Sequence, residues 1–262
     1  MSVLEVIGLF VAGVGAGLTG SIAGLASLVS YPALLAVGLP AVTANVTNTV
    51  ALIFSSVGSV SGSMPELAGQ APRMRRLVPV AAVGGVAGAV LLLVTPSGDF
   101  KRIVPWLIGL ASLGMLVRRR ALPLPVAASS PSVAPAPTRR WASGEVGLAA
   151  AVFFIGVYGG YFGAAAGVIL LAALLLATTE SLARASAAKN LILGVANGIA
   201  ALLFVVASSV RWSAAIPLAV GLLLGGRAGP AVVRRSPARP LQILIAVAGL
   251  GLAVYLGLQA YD

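Results

Sequence analysis

Apolar residues run in blocks of about twenty from one end of the chain to the other, and polar positions fall between these blocks or gather at their ends. Blocks of that length cross a hydrocarbon core of about 30 Å as helices. The first block, Val3 to Ser63, is too long for two crossings. As one helix, Val3 to Gly38 alone would measure about 54 Å. A break is therefore expected near Thr19-Gly20-Ser21 and another at Gly38-Leu39-Pro40. Five segments are predicted before residue 118, at roughly 3–19, 22–37, 41–62, 76–95 and 101–117. Five more follow, at roughly 144–161, 164–178, 183–208, 213–230 and 239–258. Between them the pattern changes. Pro123, Pro125, Pro131, Pro135 and Pro137 lie among Ala and Ser with arginines at both ends, which reads as an extended tether. The chain thus divides into a first repeat (1–117), a linker (118–142) and a second repeat (143–262).

The two parts repeat one another. Gly13, Gly17, Gly20 and Gly24 match Gly156, Gly160, Gly163 and Gly167 at an offset of 143, and Asn48 matches Asn190 at 142. Gly84, Gly85 and Gly88 match Gly225, Gly226 and Gly229 at 141. An ordered series with a slowly drifting offset is what a duplication with small loop deletions leaves. The runs around Gly84 and Gly225 look like part of a dinucleotide fingerprint. They sit inside apolar segments with no preceding strand, so close helix packing is the expected role.

Charge fixes the topology. Of 17 basic residues, five segments per repeat place 14 on one side: Arg73, Arg75, Arg76, Arg118, Arg119, Arg120, Arg139, Arg140, Arg184, Lys189, Arg227, Arg234, Arg235 and Arg239. The other side keeps Lys101, Arg102 and Arg211. The positive-inside rule then puts the linker in the cytoplasm and both termini outside, in a plasma (inner) membrane. An odd number of segments makes the repeats inverted. The expected fold is an all-α integral membrane protein of two inverted repeats, about five hydrophobic segments each. The first two segments of each repeat either span or re-enter, since both return the chain to the same side. The start of the chain lacks a basic signal-peptide region, so the first segment is expected to be retained.

Composition agrees with a lipid-facing surface. Of 262 residues 59% are hydrophobic and 9% charged, and the mean hydropathy is +1.06; a soluble domain carries about 25% charged residues. The 32 glycines and 16 prolines suit close helix packing in lipid. The net charge of +11 is scattered over short loops, so nucleic acid is not an expected partner. Cysteine and histidine are absent, which removes disulfides, thiolate and imidazole metal sites and histidine bases. No cofactor and no enzyme activity are expected, and a homo-oligomer stays compatible with the pattern.

Polar residues inside the apolar blocks mark candidate sites. Asn45, Thr47, Asn48 and Thr49 open the third segment, and Lys189, Asn190 and Asn197 answer them in the eighth. They supply hydrogen-bond donors to a small polar solute, or alternatively join helices. The glycine-rich breaks around Gly20, Ser21 and Gly24, and around Gly163 and Gly167, would expose backbone amides at helix amino ends, which suits an anion. Tyr158, Tyr161 and Phe162 are candidate gating residues or helix-contact residues, and Trp106, Trp141 and Trp212 read as interfacial anchors.

The run Tyr31-Pro-Ala-Leu-Leu-Ala-Val-Gly-Leu-Pro40, followed by Thr43-Ala-Asn45-Val-Thr-Asn48-Thr-Val-Ala51, resembles the first repeat of the sulfite exporter TauE/SafE family. Gly156-Val-Tyr-Gly-Gly-Tyr-Phe-Gly163, Ala188-Lys-Asn190 and Val210-Arg-Trp212 resemble its second. The resemblance implies a permease for sulfite, sulfonates or related small anions. The chain departs from the family's triple-glycine element: Ala23-Gly24-Leu25 and Ala165-Ala166-Gly167 stand in its place. The expected function is export of a small anion by alternating access; the rivals are a passive anion channel and a transporter of an unrelated solute. No carboxylate lies deep in a segment, so export in this reading runs on membrane potential, about 2.3 kcal/mol per charge per 100 mV.

Overall fold

The computed structural model describes residues 1–121 and 141–233, with 247, 250, 251, 253–258 and 260 beyond them, and the described residues contain helices and no strand. The helices are α1 (Val3–Ala23), α2 (Ala26–Ala36), α3 (Ala41–Gly62), α4 (Met64–Leu67), α5 (Ala71–Val94), α6 (Ser97–Ala121), α7 (Trp141–Tyr161), α8 (Ala166–Ala177), α9 (Leu182–Ala207) and α10 (Trp212–Val233). The segment expected over 239–258 falls largely outside the described residues, as does the body of the linker, 122–140. Helices α1, α3, α5, α9 and α10 are each long and apolar enough to cross a membrane. Large apolar side chains such as Val3, Leu4, Val94, Phe154, Leu176 and Val206 are exposed on the outside of the bundle, as a lipid-facing surface requires. The protein is an all-α membrane protein.

Local chemistry sets the ends. Ser2 caps α1 in a capping box: Glu5 N–H donates to Ser2 Oγ at 3.2 Å, and Ser2 N–H donates to Glu5 Oε2 at 2.7 Å. Ser181 caps α9 with its hydroxyl alone, which accepts from Arg184 N–H. The first break comes later than expected from Thr19-Gly20-Ser21. Thr19 stays helical with its hydroxyl on the Ala16 carbonyl at 3.1 Å, and the reversal is made by Gly24, whose φ of +77° suits glycine. Gly20 instead provides room for α2, which folds back along α1 so that Gly20 faces Ala26 and Gly15 faces Val29. The second break is built from Gly163 (φ +72°) and Ala165 (φ +59°), the latter the only described non-glycine residue in the left-handed region. At 11 and 12 residues, α2 and α8 are about 16–18 Å long and cannot cross the bilayer alone.

The two parts of the chain interlock. Gly13 and Gly17 of α1 lie against the backbone of α10 at Gly221 and Gly225–Gly226. Gly156 and Gly160 of α7 lie against α5 at Gly84 and Gly85 in the matching way. Gly226 of α10 also abuts Ser55 of α3, and Gly85 of α5 abuts Ala196 of α9. Apart from Gly156, where a Cβ would be tight, these glycines leave no room for a Cβ next to the neighbouring main chain. The fingerprint-like runs are therefore packing faces. Gly24 and Gly167, matched positions in the repeat, touch each other backbone to backbone. Between them, α3 and α9 run side by side at the centre of the bundle.

Candidate functional site

Where the two helix breaks meet α3 and α9, a crevice opens with about 490 Å³ of empty space, part of it continuous with the exterior. Gly20 and Gly24 border it from the first break, Gly163 and Gly167 from the second. Lys189, Asn190 and Asn197 line it from α9, and Ser55, Ser56 and Ser59 from α3. The amino ends of α2 (Ala26, Ser27) and α8 (Ala166, Gly167) also reach it. A smaller cavity of about 230 Å³ adjoins at Asn190 and is bordered by Ser21, Ser63, Glu66 and Ser186. Together they form a polar path toward the end of the bundle where α3 finishes and α9 begins.

Each broken helix brings a carbonyl end and an amide end to this place, carrying partial charges of about −0.5 and +0.5. The carbonyl ends are taken by side chains of the central helices. Lys189, with 1% of its surface exposed, donates from Nζ to the carbonyls of Gly20 (2.8 Å) and Ser21 (3.1 Å) in the last turn of α1. Ser186 Oγ also donates to the Ser21 carbonyl, at 3.1 Å, while Ser21 Oγ has no partner among the described residues. Asn45 of α3 donates from Nδ2 to the carbonyl of Tyr161, the last residue of α7, at 2.8 Å. The amide ends of α2 and α8 are the ones that face the crevice.

The matched asparagines have different surroundings. Asn48 is fully buried; its Oδ1 accepts from Ser30 Oγ at 2.5 Å and its Nδ2 donates to Ser27 Oγ at 3.3 Å. At the positions of α8 matching these serines, 143 residues on, stand Leu170 and Ala173. They offer no hydrogen bond, and among the described residues none ties the Asn190 amide, which borders both cavities. Of the remaining candidates on α3, Thr49 Oγ1 donates back to the Asn45 carbonyl (3.0 Å) and Thr47 Oγ1 accepts from Arg211 N–H (3.1 Å). The structure thus brings Gly20, Gly24, Gly163, Gly167, Lys189, Asn190 and Asn197 together around one space. It places Asn45, Thr47, Asn48 and Thr49 outside that space, holding helices to one another.

The aromatic candidates lie in packed surroundings as well. Phe162 meets Tyr31 edge to face at 5.1 Å and Phe100 at 6.0 Å, and Tyr161 meets Phe100 at 5.7 Å. Tyr158 donates its hydroxyl to the Ala164 carbonyl at 2.6 Å and so ties α7 to the break that follows it. Sequence reasoning missed Ser27, Ser55, Ser56 and Ser59. The signal was present: Ser55 and Ser59 are four apart on the third segment and continue the face opened by the asparagines.

At the α3-end of the polar path, Glu180 bridges Arg184 (2.5 Å, four residues on) and Arg73 of α5 (3.0 Å). Arg184 and Gln70 add hydrogen bonds to the carbonyls of Ala68 and Arg184, respectively. The hydrogen bond from Arg184, and then that from Arg73, holds the Glu180 carboxyl below the ordinary carboxylate range in spite of partial desolvation.

The family profile described as Sulfite exporter TauE/SafE matches residues 9–256. The chain is 26% identical over 225 residues to "Probable membrane transporter protein YfcA" of Escherichia coli (strain K12), covering 86% of this chain and 79% of that protein. It is 24% identical over 251 residues to "Probable membrane transporter protein ORF9" of Sinorhizobium sp, covering 95% and 90%. No solved structure matches. With the profile running over nearly the whole chain, the residues that line the crevice included, the protein belongs to the sulfite exporter TauE/SafE family of membrane transporters.

Proposed function

We propose that the protein exports a small anion, sulfite, a sulfonate or a similar oxoanion, by alternating access through the crevice between α3 and α9. The observation that carries this reading is the convergence of the amide ends of α2 and α8 with the Lys189 ammonium on one space, while the carbonyl ends are occupied by Lys189 and Asn45. Fixed donors and partial positive charge in a water-poor site favour a negative solute. The serine row of α3 and the amides of Asn190 and Asn197 then supply directional hydrogen bonds.

Alternation is supported by the unequal ends of the central helices. Toward Glu66 and Ser63 the path is polar, whereas the opening turns of α3 are packed by Tyr31, Tyr161, Phe162 and Phe100. In an inverted repeat the two arrangements exchange places when the protein turns to face the other side. The arginine count orients the polar end, with Arg73 and Arg184, toward the cytoplasm. A solute then loads from inside, the linker is cytoplasmic and both termini lie outside the plasma (inner) membrane.

Flux of sulfite or methanesulfonate from proteoliposomes tests this. Asn190→Ala and Ser59→Ala are expected to lower saturable flux about tenfold or more, the loss of one or two charge-assisted hydrogen bonds, with the purified protein still folded. Unchanged flux in both variants overturns the site. Flux that rises linearly with concentration and shows no acceleration by anion on the far side identifies a passive channel.

A further inference from the structure

Among the described residues Lys189 is the one cationic side chain that borders the crevice; the other charged residue on the path, Glu66, borders the adjoining cavity and is acidic. The four helix ends that meet there add two partial positive and two partial negative charges, which sum to about zero. A protonated Lys189 then leaves one full positive charge. The ammonium has three N–H donors, and two are spent on Gly20 and Ser21. A single donor of Lys189 remains for a ligand, beside the untied amide of Asn190 and the hydroxyls of Ser55 and Ser59. Leu52, Leu193, Ala26 and Ala166 complete the wall with apolar surface.

We propose that the crevice selects anions with one negative charge over those with two, and that the preferred ligand is a small sulfonate or carboxylate with one short apolar end. This rests on the anion-transport reading above. A monoanion neutralises the site and takes its remaining oxygens to Asn190 and the serines. A dianion leaves a net negative charge in a low-dielectric space, beside the carbonyls of Gly20 and Ser21 and with Glu66 on the approach. Its second anionic group meets either the leucine wall or hydroxyls already engaged. The discrimination comes from charge count, since among the described residues no guanidinium borders the crevice to hold a second group.

The test uses the purified full chain in nanodiscs at constant ionic strength. Thermal stabilisation is read against methanesulfonate, ethanesulfonate and acetate, and against 1,2-ethanedisulfonate and malonate. The monoanions are expected to act at concentrations about tenfold or more below the dianions. Asn190→Ala is expected to weaken both series alike and keep their ratio, and Lys189→Gln to abolish the ratio. Should Lys189→Gln fail to fold, Asn197→Lys serves instead: a second cation in the crevice is expected to shift the preference toward the dianions. Equal or tighter binding of dianions to the unaltered protein overturns the selection rule and leaves anion binding standing. Asn197→Lys without any shift in the ratio overturns the charge-count explanation. Absence of stabilisation by every anion overturns the transport reading and this rule together.

Discussion

Asn48 and Asn190 occupy matched places in the repeat, and a difference of two neighbours gives them opposite roles. Ser27 and Ser30 bond the two ends of the Asn48 amide, so Asn48→Ala leaves the buried Ser27 hydroxyl without its partner, while Ser30 keeps the Ala26 carbonyl. It is expected to lower stability by about 2 kcal/mol, measured as a fall in the unfolding temperature of the purified protein. Asn190→Ala removes an amide that no described residue holds, and its unfolding temperature is expected to stay near that of the parent, while anion-dependent stabilisation is weakened. The pairing of the asparagines was legible from their offset. Their divergence was not, because it depends on which face of α2 and α8 turns toward the central helices. Ala165 carries a strain of its own. The family's triple glycine would place glycine where this chain holds alanine at φ +59°. Ala165→Gly is expected to raise stability by up to about 1 kcal/mol, the cost of a left-handed alanine, read by the same thermal measurement.

At the scale of elements, the breaks were visible in sequence to within a few residues. Glycine and apolar length announce that a helix must stop, but only backbone geometry decides which glycine turns and which makes room. Gly20 was the expected break and serves as a contact; Gly24 turns the chain and also meets Gly167. Gly24→Ala puts a Cβ into that backbone and forces a left-handed alanine, so the bundle is expected to lose several kcal/mol. Loss of the monodisperse peak in size-exclusion chromatography, with Gly38→Ala as a control in open space at a similar φ, checks this. The short helix α4 had no signature in the pattern, being one turn of Met64-Pro-Glu-Leu67 between longer elements. The serine row escaped notice because serines in a membrane helix are common packing residues, and only the opposing α9 turns them into a wall.

Over the whole molecule, the all-helical membrane fold followed from hydropathy alone, and the pairing of helices did not, since every apolar segment could pack on any other. The glycine offsets were the nearest thing to a contact map, because small residues must meet in pairs. The latch of Arg73, Glu180 and Arg184 joins α5 to the start of α9 at the mouth of the polar path. The folded-state pKa of Glu180 is depressed, so its contribution is present above the ordinary carboxylate value and is lost as pH falls through the lowered one. Glu180→Gln is expected to lower the unfolding temperature at pH 7 and to narrow its gap from the parent as the solution is acidified below about pH 4. A gap independent of pH would show that the carboxylate charge plays no part.

The interlocking of α1 with α10 and of α7 with α5 has a consequence for how the protein is made. Gly17 leaves the ribosome 208 residues before Gly225, its partner. At about 5–20 residues per second, α1 waits roughly 10–40 s for the surface it fits. During that interval the nascent first half sits in the bilayer with its small-residue faces uncovered, exposed to chaperones and membrane proteases. Residues 1–117 produced alone are expected to be degraded within minutes in a pulse-chase experiment, and to be rescued when residues 143–262 are synthesised as a separate polypeptide in the same cell.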